Sequence, residues 1–174
     1  MTGSLCIPDI PAAASEGIAI RMGTERDVES LCGHFLGLSR NARYNRFMGA
    51  TGDLSGIARD CLAPERKAGR FALVAECRLE GRDVIVGEAS YAFDPKSGCG
   101  EFALSVADEF QRRGVGSRLL ATLQYRAVSL GYLDLFGEAL KSNDQMKRFA
   151  LKAGFEFTRS LDWRAVRFDK RLKE

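Results

Sequence analysis

Apolar residues recur along this chain in two rhythms, and the switch between them outlines the elements. Ile18 and Ile20 alternate within Gly17 to Arg21 like a short strand. Val28, Leu31, Cys32 and Phe35 then return at helical spacing, which predicts a first helix from an N-cap at Thr24 to about Leu38. Asp27, three residues after Thr24, makes a weak capping box. Ser39 reads as the cap of a second helix carrying Ala42, Arg43, Phe47 and Met48. The polar segment with Gly52, Gly56 and Pro64 reads as a short helix between loops.

From Phe71 the period shortens. Phe71 to Leu79 and Val84 to Phe93 predict two strands joined by a turn at Glu80-Gly81-Arg82-Asp83. Gly98 and Gly100 punctuate before a third run, Glu101 to Val106. Gln111 to Ser117 opens a helix whose apolar face is Val115, Leu119, Leu120, Leu123 and Ala127, and Gly131 ends it. Leu133 to Leu140 predicts a strand, Asn143 to Ala153 a helix closed by Gly154, and Phe155 to Arg159 and Ala165 to Phe168 the closing strands. A hairpin followed by β-α-β-α-β predicts a mixed α/β sheet and excludes a bundle or a pure sandwich.

Composition narrows the function classes. The 174 residues suit one domain, read as 17–174 behind a loose leader of 1–16 that holds Pro8 and Pro11 and lacks the pattern of a secretory signal. No run approaches the ~20 apolar residues of a membrane span. A net charge of +3 suits an anionic ligand but falls short of a nucleic-acid footprint. Cys6, Cys32, Cys61, Cys77 and Cys99 are scattered and odd in number, which reads as free thiols of a cytoplasmic protein. The chain has one histidine, His34, so no multi-histidine metal site is expected; His34 itself reads as packing or surface.

The chemistry concentrates between Glu101 and Phe155. Gln111-Arg112-Arg113-Gly114-Val115-Gly116-Ser117 sits between a strand and a helix. Glycines there let backbone approach a ligand, the first helical amides are unpaired, and the helix dipole adds positive charge. With Arg112 and Arg113 the turn makes an anion cradle suited to a pyrophosphate. An isolated match of this kind also fits an ordinary helix start with two solvated arginines. No Gly-Lys-Ser/Thr follows, and the spacing is not Gly-x-Gly-x-x-Gly, so ATP- and dinucleotide-type sites lack support.

Gln111-x-x-Gly114-x-Gly116 after an apolar strand resembles the acetyl-coenzyme A signature of the GNAT superfamily of N-acetyltransferases. Asn143-x-x-Met146-x-x-Phe149-x-x-x-Ala153-Gly154-Phe155 is similar to the second half of that pattern. More narrowly, Leu38 to Phe47 and Gly100 to Val106 resemble two segments of bacterial Pat-type protein lysine acetyltransferases. In those enzymes this domain is often joined to a synthetase-like or a cyclic-nucleotide-binding domain; this chain is too short for either. The resemblance implies a mostly antiparallel sheet of six to seven strands, splayed between two central strands near Glu101 to Val106 and Leu135, flanked by about four helices. It implies acetyl-CoA as acyl donor, no metal, and direct transfer to a primary amine.

Site residues follow from the same resemblance. The pantetheine arm would lie along Leu104, Ser105 and Val106, with an amide near Val106 polarising the thioester carbonyl. Arg112, Arg113, Gly114, Val115, Gly116 and Ser117 would hold the pyrophosphate beside Gln111, and Asn143, Met146 and Phe149 would flank the arm. Asn143 equally suits an N-cap. An amine attacks only when neutral, and a lysine ammonium has a pKa of about 10.4, so a base is useful. Glu101 is the first candidate and Glu88 the second; for Glu101 the plain alternative is a solvated strand start. Phe149 stands where many relatives have a proton-donating tyrosine, which leaves Tyr125 or Tyr132 to weigh as general acid. Arg43, Tyr44 and Arg46 suit an acceptor groove or a solvated helix face; Trp163 and the basic tail from Lys170 read as structure and solvation. Three functions compete: acetylation of a protein lysine, acetylation of a small amine, and a non-catalytic acyl-CoA-binding module. A homodimer is expected only from the habit of the family.

Overall fold

The apolar run from Phe71 to Ala75 is buried residue by residue because it lies in a sheet covered on both faces. The computed structural model describes residues 17–63 and 69–172; the leader 1–16 with Cys6, residues 64–68 with Pro64, and the last two residues lie outside these. The strands are β1 (Ile18–Met22), β2 (Arg70–Leu79), β3 (Arg82–Asp94), β4 (Cys99–Val106), β5 (Asp134–Leu140), β6 (Glu156–Thr158) and β7 (Ala165–Arg171). They form one sheet in the order β1-β2-β3-β4-β5-β7-β6, antiparallel throughout except β4 with β5. Among the described residues the helices are α1 (Val28–Gly37), α2 (Arg40–Phe47), α3 (Leu54–Leu62), α4 (Val115–Ser129) and α5 (Asp144–Lys152), five where about four were expected.

Strand alternation sends Phe71, Leu73 and Ala75 to one face and Ala72 and Val74 to the other. The first set packs with Val115, Leu119, Leu120, Leu123 and Ala127 of α4, the whole apolar face expected of that helix, and with Ala150 of α5. The second packs with Leu31 and Phe35 of α1 and Leu54, Ala58 and Leu62 of α3.

Local signals set the boundaries, with three shifts. The first helix begins as a 3-10 turn, Glu25–Asp27, because the Asp27 carboxylate accepts from the Thr24 amide (2.8 Å) and both Arg21 donors (2.8 Å each). The hairpin turn is only Glu80-Gly81, both left-handed (φ 48° and 80°), the conformation a two-residue turn needs to match strand twist. Arg82 and Asp83 pair with Leu79 and Arg78 instead. Lys170 belongs to β7 rather than to a tail, and its ammonium donates to the Ala153 carbonyl at the end of α5 (2.7 Å).

The parallel pairing of β4 with β5 stops after Gly100↔Leu135 and Glu101↔Phe136, and beyond these the strands part. On the α4 side Phe102, Phe155 and Phe168 meet with ring centroids 5.3–5.9 Å apart under this fork. Gly137 allows it, since a Cβ there would come within 2.5 Å of Phe168 and 2.8 Å of Phe102. No described helix is long and apolar enough to cross a membrane.

Candidate active site

A cleft of about 430 Å³ opens along β4 where β5 has left it. Leu104, Ser105 and Val106 line it from β4, Gln111, Arg112, Gly114, Gly116 and Ser117 from the turn and start of α4, and Asn143, Met146 and Phe149 from α5. The structure thus gathers eleven of the thirteen residues expected to hold the donor. Arg113 lies over the Phe110 ring (5.5 Å), and the Val115 side chain is buried in the core, so neither side chain lines the cleft.

The turn has the properties of an anion site. Arg112 (φ 59°) and Gly114 (φ 83°) are left-handed, which turns the chain sharply into the helix. Side chains cap the starts of α2 (Ser39), α3 (Asp53) and α5 (Asn143), but α4 has no side-chain cap and no acidic residue in its first turn. Its first amides therefore keep their donors and dipole charge for a ligand. Gln111 braces the turn by donating to the Val106 carbonyl (3.0 Å) and accepting from Gln145 (3.2 Å). Asn143 caps α5 through the Met146 amide (3.0 Å) while also lining the cleft, so both readings of it coexist. These features, with the free edge of β4, fit an acyl-CoA: amides and Arg112 for its phosphates, strand edge for its amide-bearing arm.

Sequence reasoning missed the opposite wall. Asn41, Ala42 and Asn45 of α2 line the cleft, and the Ser39 hydroxyl and amide both bind the Asp108 carboxylate (2.8 and 3.0 Å), which fastens α2 across it. Only the Pat-like likeness of Leu38 to Phe47 hinted at α2. Of the residues it suggested, Arg43 donates to the Leu36 and Leu38 carbonyls (3.3 and 3.2 Å), a brace for the end of α1, and Tyr44 stands exposed.

A second pocket, about 290 Å³, lies farther along β4, lined by Arg46, Cys61, Arg70, Ser90, Glu101 and Ala103 among others. Glu101 is exposed there, yet its carboxyl is raised, first by partial burial and then by Glu138, against lowering by Arg46, Arg167 and Arg70. A raised carboxylate is a better proton acceptor near neutral pH.

The second candidate base fails on access. Glu88 is fully buried, ion-paired to Arg46 (2.6 Å), and accepts from the Ser105 hydroxyl (2.9 Å). A carboxylate held this way has no route to an acceptor amine. Ser105 in turn meets Nε2 of His34 at 2.9 Å. Since Ser105 spends its proton on Glu88, its oxygen accepts from His34, which places the imidazole proton on Nε2. Burial lowers the His34 pKa, keeping it neutral. The chain from His34 through Ser105 and Glu88 to Arg46 is thus a buried polar brace, and the Ser105 hydroxyl is occupied in it.

Neither tyrosine offered as general acid lines the cleft. Tyr125 is exposed on α4, and Tyr132 stacks on Phe93 and Tyr91 (4.4 and 5.6 Å). Phe149, which does line it, has no proton to give.

Residues 44–155 match the Acetyltransferase (GNAT) family. The chain belongs to this family of N-acetyltransferases, whose members use acyl-CoA. The fold is similar to that of the GNAT domain of S. lividans PAT, with TM-score 0.76 and 23% identity over 94% of this chain and 100% of that one. It is similar to a ribosomal-protein-alanine N-acetyltransferase from Brucella melitensis, with TM-score 0.69 and 24% identity over 88% and 99%. It is also similar to a ribosomal-protein acetyltransferase in complex with coenzyme A, with TM-score 0.68 and 14% identity over 91% and 96%. A comparison with curated protein sequences finds no match.

Proposed function

We propose that this chain transfers the acetyl group of acetyl-CoA directly to a primary amine, the side chain of a protein lysine, within a ternary complex. The observation that carries the reading is the uncapped start of α4 opening on the same cleft as the free edge of β4, with Glu101 on that strand beyond it. Acetyl-CoA supplies a thioester whose carbonyl carbon bonds to the amine nitrogen as the carbon–sulfur bond breaks. The α4 amides, Arg112 and Ser117 hold the phosphates; Leu104 and Val106 offer main chain to the arm; Asn143, Met146 and Phe149 close over it. An amide near Val106 stabilises the oxyanion. Glu101 takes the ammonium proton, directly or through water.

A protein acceptor is supported by the rim. Leu161 and Trp163 stand exposed on the segment between β6 and β7, whose Ser160 bonds to Glu138 at the fork (2.7 Å). Exposed aromatic and aliphatic anchors of this kind suit a protein surface. The neighbours whose names state a substrate act on proteins. The pocket of about 290 Å³ beside Glu101 favours a second reading, a small amine carrying an anionic group for Arg70.

Thermal unfolding with acetyl-CoA, CoA, ATP and NAD tests the donor assignment. A native-state ligand at a hundredfold excess over its Kd adds about 2.7 kcal/mol. Acetyl-CoA and CoA should raise the midpoint while ATP and NAD do not; no shift with either coenzyme removes the reading. Glu101→Gln should keep the shift and lose turnover, and turnover surviving in that variant would exclude Glu101 as the base. Lysine acetylation of a protein mixture, read by mass spectrometry against a panel of small amines, separates the two acceptors.

A further inference from the structure

We infer that Glu138 is a second acceptor-site carboxylate, which with Glu101 forms a seat for the acceptor's ammonium across the fork between β4 and β5. This rests on the reading of Glu101 as base. The last register pair before the strands part is Glu101↔Phe136. Residues two apart share a strand face, so Glu138 follows Phe136 on the face away from buried Leu135 and Ala139. Beyond the pair no strand fills the space between β4 and β5, and Glu138 stands two residues past the register partner of Glu101 on the face that the two strands share.

Neither carboxylate is held in a contact ion pair. Among the described residues neither Glu101 nor Glu138 is in a salt bridge. The nearby cations are largely engaged elsewhere. Arg167, the register partner of Glu138, binds both oxygens of Asp169 (2.9 and 3.1 Å from Nε) and lies over the Phe136 ring at 3.8 Å. Arg46 of α2 is bound to Glu88 and Ser90. Arg70 of β2, Tyr91 of β3, and Asp60 and Cys61 of α3 complete the charged and titratable groups lining the pocket around Glu101. Among the described residues the Glu138 side chain accepts one hydrogen bond, from the Ser160 hydroxyl, which orients it without neutralising it.

After burial, the charge of Glu138 is the next cause that raises the Glu101 carboxyl, and a cation seated between the two relieves their repulsion. A lysine ammonium has three donors, enough to bond both carboxylates. The seat then works in order. The ammonium is drawn in by both groups; one N–H bond breaks and its proton forms the carboxylic acid of Glu101; the neutral amine, no longer held as a cation, is free to attack. Glu138 makes no bond to the reacting carbon, so it is a positioning residue that also sustains the basicity of Glu101.

The test is the pH dependence of steady-state rates with varied amine at saturating acetyl-CoA, for the parent, Glu138→Gln and Glu138→Asp. Glutamine keeps the shape and the acceptor for Ser160. In Glu138→Gln we expect kcat/KM for the amine to fall about tenfold or more, chiefly through KM. The acid limb of its pH profile should move to lower pH, because Glu101 has lost a negative neighbour. Glu138→Asp should recover part of both. The coenzyme-induced thermal shift should be unchanged, which shows that the donor side remains folded. An unmoved acid limb, or a loss confined to kcat with KM unchanged, overturns the seat even while Glu101→Gln abolishes turnover. Full turnover in Glu101→Gln would instead mean that the base assignment has failed and the seat with it.

Discussion

A single histidine buried in a chain of hydrogen bonds gives a clean handle on stability. His34 is neutral because burial disfavours its charged form, and its Nε2 donates into the Ser105–Glu88–Arg46 series. The unfolded chain protonates His34 near the ordinary value of about 6.5, whereas the native chain does so only at lower pH. Between those values the unfolded state binds more protons, so the contribution is complete above about pH 6.5 and is lost as pH falls through the native pKa. We expect the denaturant midpoint to fall from about pH 7.5 to about pH 5.5, and His34→Gln, whose amide can still donate to Ser105, to flatten that fall by more than half. An equal slope in both proteins would assign the loss to other groups. Spacing on α1 marked His34 as packing or surface, and packing is correct, but its partners come from β3, β4 and α2, which are distant in sequence. Glu88 shows the same limit: its place on β3 was legible, while the Arg46 that removes it from the chemistry was not.

Elements were legible where a local device makes them. Ser39 and Asn143 cap their helices, Glu80-Gly81 turns the hairpin, and Gly131 ends α4 in the left-handed region. The start of α4 is an exception, because it carries glycine where α2, α3 and α5 carry a capping side chain. The two glycines there do different work. Gly114 has φ 83°, so Gly114→Ala should cost about 1–2 kcal/mol in chemical denaturation and weaken coenzyme binding by distorting the cradle. Gly116 is not left-handed, and a Cβ there meets nothing nearer than 3.7 Å. Gly116→Ala should therefore leave stability equal or raise it by up to ~1 kcal/mol through helix propensity. If both substitutions cost the same, the left-handed turn is not what distinguishes them.

As a whole, the sheet is two halves, β1 to β4 and β5 to β7, joined by backbone pairing at only two positions. The facing edges of β4 beyond Glu101 and β5 beyond Phe136 carry amide groups with no strand between them. A ligand arm laid in the fork would pair with those groups as an added strand does. Hydrogen exchange should therefore slow on residues 102–106 of β4 and the first turn of α4 when CoA is bound, with little change in β1 and β2. Protection spread evenly over the sheet would point to general stabilisation by mass action instead of a filled fork.

By itself the sequence determined the order and type of the elements, the apolar face of α4 and the glycine turn, since period, caps and turn residues act over a few positions. Its likeness to a family pointed to most of the residues that line the cleft, because these lie on contiguous motifs of β4, α4 and α5. Only the tertiary structure decided which carboxylate is free. Glu88 and Glu101 lie on neighbouring strands, but an arginine from α2 neutralises one while the fork leaves the other open beside Glu138. Charge pairing and burial depend on what the fold brings together across many residues of separation, and local pattern holds no record of that.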